Sequence, residues 1–177
     1  MESEQTERFD FGEKGALAGP EDPAHAVGDG RSGFVFSVSG NLYGIDLEEV
    51  ETAVGLSDIV PLPWAPHHVL GVMRIRGAFE AIVSLERILG TETDTDAGRA
   101  GSGATRPRVL LIRSGGLKAG LLVDRIEDVT DVGTLGPCPA GARGQVAVFS
   151  RGVVRWRDDF ICWLSAERIL NGTRVQA

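Results

Sequence analysis

The chain repeats itself. Residues 71–89, GVMRIRGAFEAIVSLERIL, align without a gap on residues 152–170, GVVRWRDDFICWLSAERIL, at an offset of 81 with ten identities in nineteen positions. Upstream the echo continues at an offset of 76, where Gly40 and Gly44 fall on Gly116 and Gly120 and GIDLEEVE parallels GLLVDRIE. One five-residue indel separates the two blocks. Two copies are too few for a solenoid, which needs at least about three repeats to bury its faces. They must therefore close on each other.

Each copy reads as short strands and turns. FVFSV followed by GNLYGIDL is a hairpin whose turn, at residues 39–41, is supplied by Gly40, and Gly116 takes the same place in the second copy. LEEVETAV places Leu47, Val50 and Val54 at i, i+3 and i+7 and is expected as a helical face. PLPWAP, residues 61–66, interrupts regular structure by fixing φ and removing N–H donors. VLGVMRI and FEAIVSL are strands flanking Arg76–Gly77, and SLERILG closes as a short helix. Ser84 is its N-cap, Glu86 suits the positive end of the helix dipole, and Gly90 is the C′ residue. Ser165, Glu167 and Asn171–Gly172 repeat these parts.

The expected architecture is mainly β: two packed, five-stranded small barrels with short helices, since curling closed removes exposed sheet edges. Module one is residues 33–90 and module two residues 106–171. The 24 glycines and 8 prolines fit such a turn-rich fold. Residues 1–32 carry eight acids and three bases without apolar periodicity and are expected to be a disordered acidic tail; residues 91–105 read as a flexible loop. What remains holds fourteen acids and fourteen bases, so there is no basic footprint for nucleic acid. No window reaches about 18 apolar residues and the N-terminus is too acidic for a secretory signal, so a cytosolic protein with no membrane insertion is expected.

Catalytic constellations are thin. His67 and His68 are adjacent, His25 lies in the tail, and no third ligand stands at metal spacing. Cys138 and Cys162 are isolated and read as buried thiols. GxSxG, P-loop and HExxH patterns are absent. The acid pairs Glu48–Glu49, Asp128/Asp131 and Asp158–Asp159 read as solvated surface, and Trp64, Trp156 and Trp163 are too dispersed for a base-stacking platform. No cofactor, metal or enzyme activity is expected. The informative polar residues are Arg74 and Arg76, matched by Arg155 and Arg157. Two apart on a strand, each pair shares a face and can cover apolar neighbours or grip a partner's carboxylates.

FVFSVSGNLYGIDLEEV, VLGVMRIRG, GLLVDRIEDV and SAERIL, in that order and spanning residues 33–171, resemble the CheW family of bacterial chemotaxis coupling proteins. The resemblance implies two intertwined SH3-like barrels and a non-catalytic scaffold. Its implied partners are the cytoplasmic tip of a methyl-accepting chemoreceptor and the regulatory domain of a CheA-type histidine kinase. Gly44, Val50, Gly71, Arg76, Gly77, Gly120 and Asp124 match the family pattern, which implicates Arg76 and the face around Val50 in partner contact. The sequence departs from it at Thr52, Arg74, Glu80, Ala81 and Ser84. Val50, Thr52, Gly71, Arg74, Arg76, Glu80 and Gly120 are thus the expected partner-binding set, and Gly40, Gly44, Gly77, Ser84, Gly116 and Ser165 the caps and turns. A paralogue that binds receptor but not kinase is a second reading, and a small ligand-binding or hydrolytic barrel a third.

Overall fold

The computed structural model describes residues 31–92, 106–138 and 144–173. The expected acidic tail and the 91–105 loop lie almost wholly outside them. Ten strands form two sheets: β1 (Ser32–Val38), β2 (Asn41–Asp46), β3 (Val50–Gly55), β4 (Val69–Ile75), β5 (Ala78–Ser84), β6 (Arg108–Ser114), β7 (Leu117–Val123), β8 (Arg125–Asp131), β9 (Ser150–Trp156) and β10 (Asp159–Leu164). Three short helices join them: α1 (Leu85–Leu89), α2 (Gln145–Phe149) and α3 (Ala166–Gly172). The fold is mainly β with two five-stranded sheets, as expected.

The strand orders are β8-β1-β2-β10-β9 and β3-β6-β7-β5-β4. These are one order written twice, because the two offsets carry β1, β2 and β3 onto β6, β7 and β8, and β4 and β5 onto β9 and β10. Each sheet combines the hairpin of one sequence copy with three strands of the other. Each sheet is spliced twice, once by an antiparallel pairing (β1 with β8, β3 with β6) and once by a parallel one, β2 with β10 through Gly44↔Trp163 and β5 with β7 through Ile82↔Gly120. Neither copy holds a complete sheet by itself.

This exchange explains the unbroken apolar runs. On β6, Val109 and Leu111 join Met73, Ile75 and Ile82 inside the second sheet. Leu110 and Ile112 point the other way, into a shared core with Phe36, Ile45, Leu85, Leu164 and Ile169. A strand buried on both faces loses the apolar–polar alternation of a half-exposed one. The first sheet has its own cluster, Val35, Val132, Val154, Trp156, Ile161 and Trp163.

Turns and caps follow the local chemistry. Ser39 and Gly40 take φ of 49° and 76°, Arg76 and Gly77 49° and 94°, and Gly115 and Gly116 56° and 80°. Two consecutive positive φ values match the right-handed twist of the flanking strands. Ser84 accepts from the Arg87 N–H, Gly90 ends α1 in the left-handed region, and Ser165 accepts from the Arg168 N–H.

Three local expectations change. LEEVETAV is a single 3₁₀ turn at Leu47–Glu49 followed by β3, not a helix. Val50, Thr52 and Val54 are half-buried while Glu51, Ala53 and Gly55 are exposed, a period of two set by pairing with β6. Asn171–Gly172 does not stop α3, which runs through Gly172 to a Thr173 cap. Gly172 is instead a packing glycine, since a Cβ there would come within 2.6 Å of the Phe149 ring. The arginines are not strand pairs either, because Arg76 and Arg157 sit in turns at φ of 49° and 54°. Arg157 stacks on Trp156 at 4.1 Å, a cation–π contact.

A polar latch ties the first sheet to α3. Buried Asp46 accepts from Trp163 Nε1 at 2.8 Å and pairs with Arg151, while Glu49 accepts from the first N–H of α3, Ala166, at 3.2 Å. Burial raises the Glu49 carboxyl above its ordinary value of 4.5, against the opposing pull of the Ala166 N–H and Arg151. A group that binds its proton more tightly when folded adds stability as pH falls from neutral through its folded pKa, and the gain levels off below the ordinary value. Glu49→Gln keeps the capping oxygen and is expected to remove this increment. The check is the urea midpoint at pH 4 minus that at pH 7, which is expected to be lower in Glu49→Gln than in the unaltered chain, whatever its sign there.

Candidate functional site

The shared core opens to the surface along one side of the second sheet. On β5, Ala81 and Val83 face the shared core while Ile82 faces the sheet's own cluster, and on β7 Leu117 and Ala119 face it likewise. Leu170 of α3 closes one wall of the opening and the loop carrying Leu62, Pro63 and Trp64 closes the other. The result is a groove of about 520 Å³, apolar along its floor, with Lys118 as its charged lining residue. Phe79, 70% exposed and on the same face of β5 as Ala81, extends the apolar surface toward the β4–β5 turn.

Trp64 stands out on the rim. Its side chain is 99% exposed and its backbone lies at φ of 53°. Left-handed backbone is costly for a bulky L-residue, and strain of that kind collects at ligand clamps. The other two tryptophans, Trp156 and Trp163, are 9% and 0% exposed and belong to the core. Those two lie on strands and are read from sequence as core or interface anchors, a reading the structure bears out, whereas sequence spacing assigned Trp64 no role. The one available signal was a large aromatic between prolines in a turn-forming stretch.

A cationic rim flanks the groove. Lys118 pairs with Glu51 at 2.7 Å. That hydrogen bond, and then the fields of Lys118, Arg113 and Arg76, hold the Glu51 carboxyl below its ordinary value. Ile82↔Gly120 register brings Ala78 level with Gly116, so the turns at Arg76–Gly77 and Gly115–Gly116 share one end of the sheet. Arg74, exposed, lies opposite Phe79 on that hairpin.

None of the partner-binding residues expected from sequence lines the groove. Val50 and Thr52 are half-buried on edge strand β3, with Glu51 between them. Arg74 pairs with Phe79 and so shares the face of the hairpin that carries Ala81 and Val83, Glu80 pairs with Met73 on the opposite face, and Arg76 sits in the turn between the two strands. Gly71 and Gly120 act through absence of a side chain: a Cβ on Gly71 would lie 2.2 Å from the Val60 carbonyl oxygen, and one on Gly120 2.6 Å from Ile82 Cδ1. Gly44 has the same role, its Cβ position lying 2.1 Å from the Trp163 ring. Gly40, Gly77 and Gly116 have open space and serve as turn residues. His67 is largely exposed and bonds Glu92 at 3.0 Å; among the described residues no three His, Cys, Asp or Glu side chains form a metal-binding group. Cys138 and Cys162 are free thiols of intermediate exposure, less buried than expected.

Known proteins share this fold. The CheW-like domain matches residues 32–174. The chemotaxis protein CheW of Rhizobium meliloti is 27% identical over 155 residues, covering 86% of this chain and 96% of the relative. That of Thermotoga maritima is 24% identical over 141 residues, covering 80% and 88%. Among solved structures, the scaffolding protein TtCheW from Thermoanaerobacter tengcongensis superposes with a TM-score of 0.64 at 25% identity, over 76% of this chain and 88% of that one. No helix among the described residues is long and apolar enough to cross a membrane. With the twofold strand order, the hairpin exchange and a domain match over most of its length, the chain belongs to the CheW-like domain family.

Proposed function

We propose that this chemotaxis adaptor couples the cytoplasmic tip of a methyl-accepting chemoreceptor to the regulatory domain of a CheA-type histidine kinase, without catalysis of its own. The observation that carries the reading is the groove where the shared core reaches the surface, with exposed Trp64 and Phe79 beside it and Lys118, Arg76 and Arg113 at its edge. Aromatic and arginine anchors around a desolvated apolar centre are where protein–protein binding energy concentrates. Receptor tips present helices, and an apolar groove of this kind takes the apolar face of a helix. A polar-lined cavity around His67 and His68, which a small-molecule or hydrolytic site would need, is not what the groove offers. Thr52 and Glu80, where the sequence departs from the family pattern, favour the second reading of a paralogue that binds receptor alone.

One pull-down separates the readings. The chain is offered a receptor signalling-tip fragment and, separately, a kinase regulatory domain. Capture of both supports coupling, capture of the tip alone supports the receptor-only adaptor, and capture of neither at micromolar concentration overturns both. Arg76→Ala removes an exposed guanidinium at a turn. It is expected to leave the urea midpoint nearly unchanged while weakening partner capture by roughly tenfold, the scale of one interface anchor.

A further inference from the structure

The chain carries its own candidate ligand for the groove. Residues 1–30 hold eight acidic and two basic residues, so they account for six of the seven net negative charges of the whole protein. Within them, residues 9–17, FDFGEKGAL, supply Phe9, Phe11 and Leu17 among acids at 10 and 13. The exposed charges on the second sheet have the opposite balance. Arg74, Arg108, Arg113 and Lys118, with Arg76 in the β4–β5 turn, stand against Glu51, while Glu80 is half-buried.

The separation between the root of this segment and the groove is bounded by the fold. Arg31 Nη1 is 3.8 Å from Asp46 Oδ2. Asp46 precedes Glu51 by five residues, and Glu51 pairs with Lys118, which lines the groove. Five residues extend at most about 18 Å. Leu17 and Phe9 are 14 and 22 residues upstream of Arg31, and at up to about 3.3–3.6 Å per residue that much chain can bridge such a separation. The chain length is sufficient for the span, and a tethered segment that can reach a site has a raised effective concentration there.

We propose that residues 9–17 dock in trans-independent fashion, within their own chain, into the groove beside Trp64, with Phe9 and Phe11 on its apolar floor and Asp10 and Glu13 against Lys118 and its neighbouring arginines. The docked segment competes with any partner for the same surface, a consequence that rests on the adaptor reading above. Docking itself does not need that reading.

The test uses the full chain and no partner. Acrylamide quenching of Trp64 is isolated by subtracting the signal of Trp64→Phe, since Trp156 and Trp163 are buried. In Phe9→Ala/Phe11→Ala/Leu17→Ala the Trp64 quenching constant is expected to rise at least about twofold, as for a segment that covers the ring half of the time or more. Lys118→Glu is expected to raise it too, without touching the segment. Unchanged quenching of the two buried tryptophans in the Trp64→Phe background verifies that each variant is folded. Equal Trp64 constants in the unaltered and substituted chains overturn the proposal. So does protection that grows with protein concentration, which assigns the groove to a second copy. Failure of the pull-down leaves this readout intact, so the two ideas fail separately.

Discussion

Gly71→Ala is expected to cost about 3–5 kcal/mol, a large share of the 5–15 kcal/mol that holds a typical domain folded. Two costs add. Gly71 sits at φ of 146°, where a side chain is strained by about 1–3 kcal/mol. Its Cβ would also lie 2.2 Å from the Val60 carbonyl oxygen, a backbone atom that cannot rotate away, and such overpacking costs typically 1–3 kcal/mol. Retreat of Val60 would break the two 2.8 Å hydrogen bonds that join it to Val72 and anchor the loop leading to Trp64. Gly152, its repeat mate, has φ of 158° and faces the Gly136 carbonyl at 2.3 Å, beside the equivalent bridge from Gly136 to Val153. Gly40→Ala is the control. Gly40 has φ of 76° but open space around it, so only the backbone term of about 1 kcal/mol applies. Urea midpoints of the three proteins check this; a Gly71→Ala cost no greater than that of Gly40→Ala would remove the close approach as the reason for this glycine.

The same pair shows what could be read from sequence. That the glycines of LGV and RGV recur at one offset was plain, and so were the turns at Gly40, Gly77 and Gly116 and the caps at Ser84 and Ser165, because each depends on a few neighbouring residues. What the glycines avoid was not legible: the atoms they face come from residues 60 and 136, 11 and 16 residues upstream and brought against them only by the fold. β3 failed for a related reason. Leu47, Val50 and Val54 satisfy a helical spacing and Val50, Thr52 and Val54 a strand spacing within the same eight residues, and pairing with β6 decides between them. The hairpin exchange is invisible locally, since each hairpin has the same complementary edge whether it pairs with its own copy's strands or with the other's. The groove inherits that blindness. Its floor comes from β5 and β7, one from each copy, brought together by the parallel Ile82↔Gly120 pairing.

Trp64→Asn is expected to stabilise the fold and weaken partner binding at the same time. Asparagine tolerates the left-handed region that Trp64 occupies at φ of 53°, and relief of that strain is worth about 0.5–1 kcal/mol once side-chain and unfolded-state differences are allowed for. Among the described residues nothing offsets the gain, because a ring 99% exposed is buried by none of them. At an interface the balance reverses. Burying an indole at the rim of an apolar groove makes it the kind of residue whose loss costs 2 kcal/mol or more, roughly thirtyfold in affinity. The paired measurements are the urea midpoint and the dissociation constant for the receptor-tip fragment. A residue that lowers stability where it stands and adds nothing to the core is explained by binding or by chance, and the two differ in outcome. Higher stability with unchanged affinity would make Trp64 incidental, and would move the docking surface away from the groove toward the Arg74–Phe79 hairpin. Higher stability with lost affinity would identify the strained loop as the place where this chain exchanges folding free energy for recognition.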